Sequence, residues 1–259
     1  MGPFLRKLVS DAEKRIQAGY YNLRQDLRHT PISLSNLIKN ASHNAIIAEI
    51  KPISPALGPL RPNIDAADAA IKLQMGGAVG LSILTEPDNF GGSIQNLLSV
   101  RSHVQLPLLM KDIIIDRKQI AAARNCGADC ILLIQSIFTD IKPQSLLGQL
   151  IQSAHELQLE VLLEVHDEQE FQKALLSQAE IVGINNRNLN TLAVDLKTTT
   201  KLLSLNLRSN EKTIISESGL ETVEDIRRIK EAPVDGFLIG SSIMLSENLQ
   251  NKVREFVLA

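Results

Sequence analysis

Apolar residues fall in two rhythms along this chain. Over residues 4–18, Phe4, Leu5, Leu8, Val9, Ala12 and Ile16 recur at helical spacing, and Gly19 marks a stop. A second helix is expected over 33–38, after Pro31. From residue 45 the rhythm changes to short apolar runs separated by helical stretches. Strands are expected at 45–51, 79–84, 106–110, 130–134, 161–165, 181–185, 214–217 and 236–239. Helices are expected at 66–75, with Gly76-Gly77 ending it, and at 116–125 and 143–157. Further helices should begin near Asp167, Asp195, Glu221 and Ser246. The pattern amounts to eight strand-helix units.

Strands alternating with helices call for a parallel sheet, because each crossover must return the chain to the same edge. Eight units with no Gly/Ser/Pro linker favour closure into a (β/α)8 TIM barrel over two doubly wound domains. No GxGxxG follows a strand and no GxxxxGK[ST] occurs, which also counts against the doubly wound reading. The expected organisation is one domain over 1–259, with 1–43 as an N-terminal helical extension.

Composition narrows the class. A length of 259 residues suits one barrel, and 44% hydrophobic residues supply a large core. A formal net charge of −2 creates no bulk field for nucleic acid or an anionic membrane, so neither is an expected partner. No apolar run is long enough for a membrane span, and the start lacks a signal-peptide h-region; a cytoplasmic location is expected. Cys126 and Cys130 flank a helix-to-strand turn without a second pair or a histidine cluster. They are expected to be buried free thiols in a reducing compartment rather than metal ligands. A monomer is compatible with this composition, and oligomeric state is otherwise open.

Barrel chemistry sits where strands end. Glu49 and Lys51 share one face at the end of the first strand, since side chains alternate. A structural salt bridge would look the same in that segment alone. Other strand ends add Lys111, Glu164, Asn185, Arg187 and Glu217, and so many charged residues aimed at one space exceed what solvation requires. The turns Ser218-Gly219 and Gly240-Ser241 follow strands seven and eight, where barrels often hold a phosphate on backbone amides. A phosphorylated small-molecule ligand is therefore expected. Ser218 and Ser241 lack an evident histidine partner for covalent catalysis, and His166 reads as a polar turn residue. A Schiff-base lysine at Lys111 or Lys51 stays open.

Several of these segments closely resemble indole-3-glycerol phosphate synthase. They are Ile47-Ala48-Glu49-Ile50-Lys51 with Ser54-Pro55, Leu84-Thr85-Glu86-Pro87-Asp88 with Phe90-Gly91-Gly92-Ser93, Met110-Lys111-Asp112, and Glu164-Val165-His166-Asp167. Gly183 to Leu189 and Ser216-Glu217-Ser218-Gly219 complete the set, in matching order over about residues 45–245. The resemblance implies ring closure of a carboxyphenylamino-deoxyribulose phosphate to indole-glycerol phosphate, with loss of carbon dioxide and water, in tryptophan biosynthesis. It implies no metal or organic cofactor. It makes Lys111 the general acid at the ribulose carbonyl and Glu164 an acid/base in the dehydration, with Glu49 and Glu217 completing the network. Lys51 would touch Glu49 and the substrate carboxylate or phosphate, while Asn185 and Arg187 orient substrate and carboxylates. Ser218, Gly219, Gly240 and Ser241 would bind the phosphate. Ser54, Pro55, Phe90, Ile113, Leu132, Leu189 and Ile239 would line the rest of the substrate site, Ile113 only if strand geometry persists past Lys111. The family's helical extension lies over the barrel mouth, which the amino-terminal helices here fit.

Two positions depart from the family pattern: Pro52 stands where a basic residue is usual, and Ala56 where a serine is. They leave open the mobility of the first loop. Rival readings are another phosphate-binding barrel lyase or isomerase, such as a Schiff-base aldolase or a sugar isomerase, and a non-catalytic barrel subunit. The isomerase reading lacks an acid/base cysteine at the end of strand one, and no strand-end charge is missing as a non-catalytic barrel would suggest.

Overall fold

A computed structural model describes residues 2–23, 27, 29–189, 191–205 and 211–259. In chain order, α1 (Pro3–Gln17) and α2 (Leu34–Lys39) precede β1 (Ala45–Ile50), and a small antiparallel hairpin, Ile53–Ser54 with Gly58–Pro59, follows it. Then come α3 (Ala66–Met75), β2 (Gly80–Leu84), α4 (Pro87–Phe90), α5 (Ile94–Arg101), β3 (Leu108–Lys111), α6 (Arg117–Asn125) and β4 (Cys130–Ile134). The second half holds α7 (Gln135–Asp140), α8 (Gln144–Glu156), β5 (Glu160–Val165), α9 (Glu168–Leu176), β6 (Ile181–Asn185), α10 (Lys197–Leu203) and β7 (Thr213–Glu217). It ends with α11 (Val223–Ile229), β8 (Gly236–Ile239), α12 (Ser241–Met244) and α13 (Leu249–Val257). Consecutive strands pair in parallel and β1 pairs with β8, closing the (β/α)8 barrel.

Strands β1, β2, β4, β6, β7 and β8 are buried at every position, as a parallel sheet covered by helices requires. Polar side chains start many of the helices. Asp65 accepts from the amides of Ala67 and Asp68 at α3, and Asp116 with Gln119 and Thr222 with Asp225 form capping boxes at α6 and α11. Differences from the sequence expectations lie mainly between strands. The crossover from β2 to β3 carries α4 and α5; α5 buries Ile94, Leu97, Leu98 and Arg101 along one face, with Val100 beside them, and the charged Arg101 interrupts the apolar signal of that face. The helix expected near Asp195 starts at Lys197 because the Asp195 amide bonds back to Asn186 O, and the one near Ser246 starts at Leu249, capped by Asn248.

The two amino-terminal helices do not both lie over the mouth. Phe4 and Leu8 of α1 line the mouth cavity. α2 sits at the opposite end, where a Cβ at Gly80 would meet Leu34 at 2.6 Å and one at Gly236 would meet Ile38 at 3.2 Å. Leu34 and Ile38 are one helical turn apart, and glycines starting β2 and β8 leave the room they fill. Between the helices, Leu27, His29 and Ile32 lie against the end of α6 and the residue before β4. The Leu27 amide donates to Asn125 O, and Asp129 Oδ1 takes the Ile32 amide at 2.7 Å and faces His29 Nε2 at 2.7 Å.

Candidate active site

Strand ends deliver the charged residues to one place. Lys51, just past β1, reaches back to Glu49 with Nζ to Oε1 at 2.7 Å. Lys111, the last residue of β3, donates from Nζ to Glu217 Oε2 at 3.0 Å and to Glu164 Oε2 at 3.3 Å. Glu49, Glu164 and Glu217 are all buried, and Asn185 at the end of β6 accepts the Arg187 amide on Oδ1 at 2.9 Å. Arg187 in turn donates from Nη1 to Leu192 O at 2.8 Å, holding the loop after β6. The expected set Glu49, Lys51, Lys111, Glu164, Asn185, Arg187 and Glu217 lines a single cavity.

Two glycines make the space. A Cβ at Gly183 would stand 1.9 Å from Glu217 Oε1, and one at Gly240 would stand 2.6 Å from Glu49 Oε1. Both carboxylates lie flat against backbone where a side chain would otherwise be. Gly183 reads from sequence as an ordinary strand glycine; only the packing reveals its function.

Three buried carboxylates face two ammonium groups, so the last carboxylate to ionise carries a proton easily. Burial pushes the Glu217 pKa up to about 7, with Lys111 opposing and Glu164 and Glu49 adding to the rise. Burial works against the Lys111 charge, but Glu217, Glu164 and Glu49 outweigh it and raise its pKa. Glu49 is held below the usual carboxylate range, because Lys51 and Lys111 overcome its burial. Glu217 Oε1 has no hydrogen-bond partner among the described residues. The site can thus present a charged ammonium and a carboxyl that exchanges a proton near neutral pH, within one hydrogen bond of each other.

The turns after β7 and β8 form the opposite wall. Ser218 (φ 69°) and Gly219 (φ 78°) are both left-handed, a conformation costing a non-glycine residue about 1–2 kcal/mol. Successive amides in such turns make an anion-binding concavity. The strain is held from behind: Asn186 Nδ2 donates to Ser216 Oγ at 2.9 Å and Ser218 O at 3.1 Å, while Thr199 Oγ1 donates to Asn186 Oδ1 at 2.8 Å. Ser242 Oγ donates to Leu220 O at 2.8 Å and ties the two turns together. Gly240 precedes α12, so Ser241 is its first residue. Asn186 and Ser216 fall within the resembling segments and Thr199 lies outside them, but none of the three reads from sequence as a site residue, because the signal is their mutual contact.

Pro55, Phe90, Ile113, Leu132, Leu189 and Ile239, with Ser54, line the same cavity, and α1 adds Phe4 and Leu8. Strand β3 ends at Lys111 rather than persisting to Ile113. Ile113 still lines the mouth, and its amide donates to its neighbour's carboxylate, Asp112 Oδ1, at 2.7 Å. The first loop is a pinned hairpin: Pro52 O accepts the amides of Leu60 and Arg61, and Arg61 Nε donates to Met244 O at 3.1 Å. His166 is a turn residue whose Nδ1 pairs with Asn185 O at 3.0 Å, and it does not line the cavity. Cys126 and Cys130 are free and buried, and burial pushes the Cys126 thiol up to about 12. No described helix is long and apolar enough to cross a membrane.

Known proteins share the barrel and, in some cases, much of the sequence. Solved structures similar in fold include N-acetylmannosamine-6-phosphate 2-epimerase from Clostridium perfringens, with a TM-score of 0.63, 13% identity, and coverage of 83% of this chain and 92% of that one. At that identity the likeness concerns the barrel alone. Sequence relatives are far closer. The indole-3-glycerol phosphate synthase of Methanocaldococcus jannaschii is 45% identical over 232 residues, 88% of this chain and 84% of that protein. The one from Acetivibrio thermocellus is 40% identical over 228 residues, covering 88% and 85%. A family model described as indole-3-glycerol phosphate synthase matches residues 5–256, almost the whole barrel and most of its extension. On that family match and those relatives, this chain belongs to the indole-3-glycerol phosphate synthase family.

Proposed function

We propose that the mouth carries out the family's ring closure, converting a carboxyphenylamino-deoxyribulose phosphate to indole-glycerol phosphate, with the roles divided as follows. The observation that carries this reading is the Lys111 ammonium held between Glu164 and Glu217 beside an apolar cavity. Lys111 gives a proton to the ribulose carbonyl oxygen as the carboxyl-bearing ring carbon attacks the carbonyl carbon. The carboxylate leaves as carbon dioxide, and its bonding pair restores the aromatic ring. Loss of the new hydroxyl as water, with Glu164 as acid/base, then gives the indole. Glu217 and Glu49 tune and reload these groups, and Lys51, Asn185 and Arg187 orient the substrate. Every residue named belongs to one chain, so a monomer suffices, and buried free thiols suit a reducing cytoplasm.

The direct test is an absorbance assay for indole-glycerol phosphate formation by the purified protein; absence of product from a folded sample would defeat the reading. In that assay inorganic phosphate should compete with substrate, because the amides at Ser218-Gly219 and Gly240-Ser241 would hold either one. Purely noncompetitive inhibition would remove those turns from the phosphate site.

The substrate ring would rest against Ile113, Phe90, Pro55, Leu132, Leu189 and Ile239. An aliphatic Ile113 excludes water but forgoes ring-on-ring contact, worth about 0.5–1.5 kcal/mol beyond area. Ile113→Phe should therefore lower substrate Kd roughly two- to twelvefold with little change in kcat. Unchanged Kd in a normally folded variant would show that residue 113 does not touch the ring.

A further inference from the structure

The extension buries one charged and one phenolic side chain where neither the fold nor the proposed chemistry requires them. Arg15, near the end of α1, donates from Nη1 to Glu86 Oε1 at 2.7 Å and also pairs with Asp88, and its Nη2 lies 3.7 Å from Asp112 Oδ1. Tyr21 OH donates to Asp112 Oδ2 at 3.1 Å, and Thr85 Oγ1 donates to the same oxygen at 2.7 Å. Arg15, Tyr21, Thr85, Glu86 and Asp112 are all buried. Burying an arginine against three acidic groups is a poor way to gain stability, since desolvation offsets most of the attraction.

The cluster surrounds one short piece of backbone. Asp112 follows Lys111 directly, and its other oxygen takes the Ile113 amide. The Thr85 amide donates to Lys111 O at 3.0 Å. The two peptides that follow Lys111 are thus held, one by the Thr85 amide and the other by the Asp112 carboxylate, whose negative charge Arg15 balances and whose orientation Tyr21 and Thr85 complete. We propose that Arg15 and Tyr21 are positioning residues for Lys111: the extension sets where the ammonium sits between Glu164 and Glu217.

Without Arg15, Glu86 and Asp112 face each other in an apolar space with no cation. Asp112 already leans toward its neutral form through burial, with Thr85, Arg15 and the Ile113 amide opposing. Once protonated it is a weaker acceptor for Tyr21, Thr85 and Ile113 and carries a new O–H that none of these donors can accept while keeping its present bond, so the segment after β3 is held less firmly. A displacement near 1 Å at a reacting group can cost on the order of 100-fold in rate.

The test uses Arg15→Met, Arg15→Lys and Tyr21→Phe in the full chain, assayed well below each variant's Tm. Arg15→Met should lower kcat roughly ten- to a hundredfold with KM little changed, and Arg15→Lys should recover part of the loss. Tyr21→Phe, which removes one hydroxyl, should lower kcat about two- to tenfold. The pH profile supplies a readout that a merely structural contact would not move. Lys111 lowers the Glu217 pKa while Glu164 and Glu49 raise it, so a displaced ammonium shifts the kcat limb near pH 7 upward. Wild-type kcat and an unshifted limb in folded variants would overturn the inference, as would a loss confined to KM. If Arg15→Met does not fold, Tyr21→Phe decides alone. The inference rests on Lys111 as the acid. A Lys111→Met enzyme with near-normal turnover defeats that reading, whereas an inactive Lys111→Met beside a fully active Arg15→Met defeats only this one.

Discussion

Replacing Lys111 with Met should remove nearly all turnover while leaving the barrel folded. Methionine keeps the length and apolar stem of lysine, so the packing around β3 survives; the proton does not. General acid catalysis is worth roughly 10²–10⁴ in rate, and kcat should fall by that much. Removing the ammonium also leaves Glu164 and Glu217 buried without their shared cation. Glu217, already pushed up to about 7 by burial, would then take up a proton at neutral pH, which spares the fold a pair of uncompensated charges. KM should change far less than kcat, because the phosphate turns and apolar walls are untouched. A variant retaining more than about a tenth of wild-type kcat would end the assignment of Lys111 as the principal acid.

Gly183→Ala should be nearly as damaging although it removes no functional group. The added methyl would stand 1.9 Å from Glu217 Oε1 and 2.9 Å from Leu162 Cδ2, and backbone on both sides prevents it from yielding. The Glu217 carboxylate must swing away, breaking its 3.0 Å bond to Lys111. Overpacking of this kind costs about 1–3 kcal/mol of stability, and misplacing the carboxyl should cost roughly 100-fold in kcat. Thermal unfolding and steady-state kinetics on one sample separate the two effects. If kcat stays within about threefold of wild type, Glu217 matters to the chemistry less than its geometry suggests.

Most of the barrel is readable from its strands because both faces of each are buried. Apolar runs such as Cys130–Ile134 and Ile181–Asn185 are therefore uninterrupted and end at polar caps or turns. The charged lining is readable for the opposite reason: Glu49, Lys111, Glu164 and Glu217 sit at strand ends, where a lone apolar run gives way to charge. Legibility fails wherever meaning depends on a distant partner. Arg15 on α1 looks like any charged residue on a solvated helix face until Glu86 and Asp112 come up against it. Ser218 gives no hint that its φ is positive, because that conformation is imposed by Asn186, itself held by Thr199. The α2 position at the barrel's far end was equally hidden, since nothing in six residues says which glycines they will fill.

That position of α2 bears on the order of events during synthesis. Leu34 and Ile38 seat against Gly80 and Gly236, and β1 closes the barrel only by pairing with Gly236 to Ile239. Gly80 emerges early, but no segment before β8 can supply Gly236 or close that edge of β1. At about 5–20 residues per second, the roughly 190 residues between β1 and β8 take about 10–40 s to emerge. Through that interval Ile38 of α2 and one edge of β1 lack their final neighbours in β8. Barrel closure and docking of α2 are thus coupled late events, completed together once β8 is available.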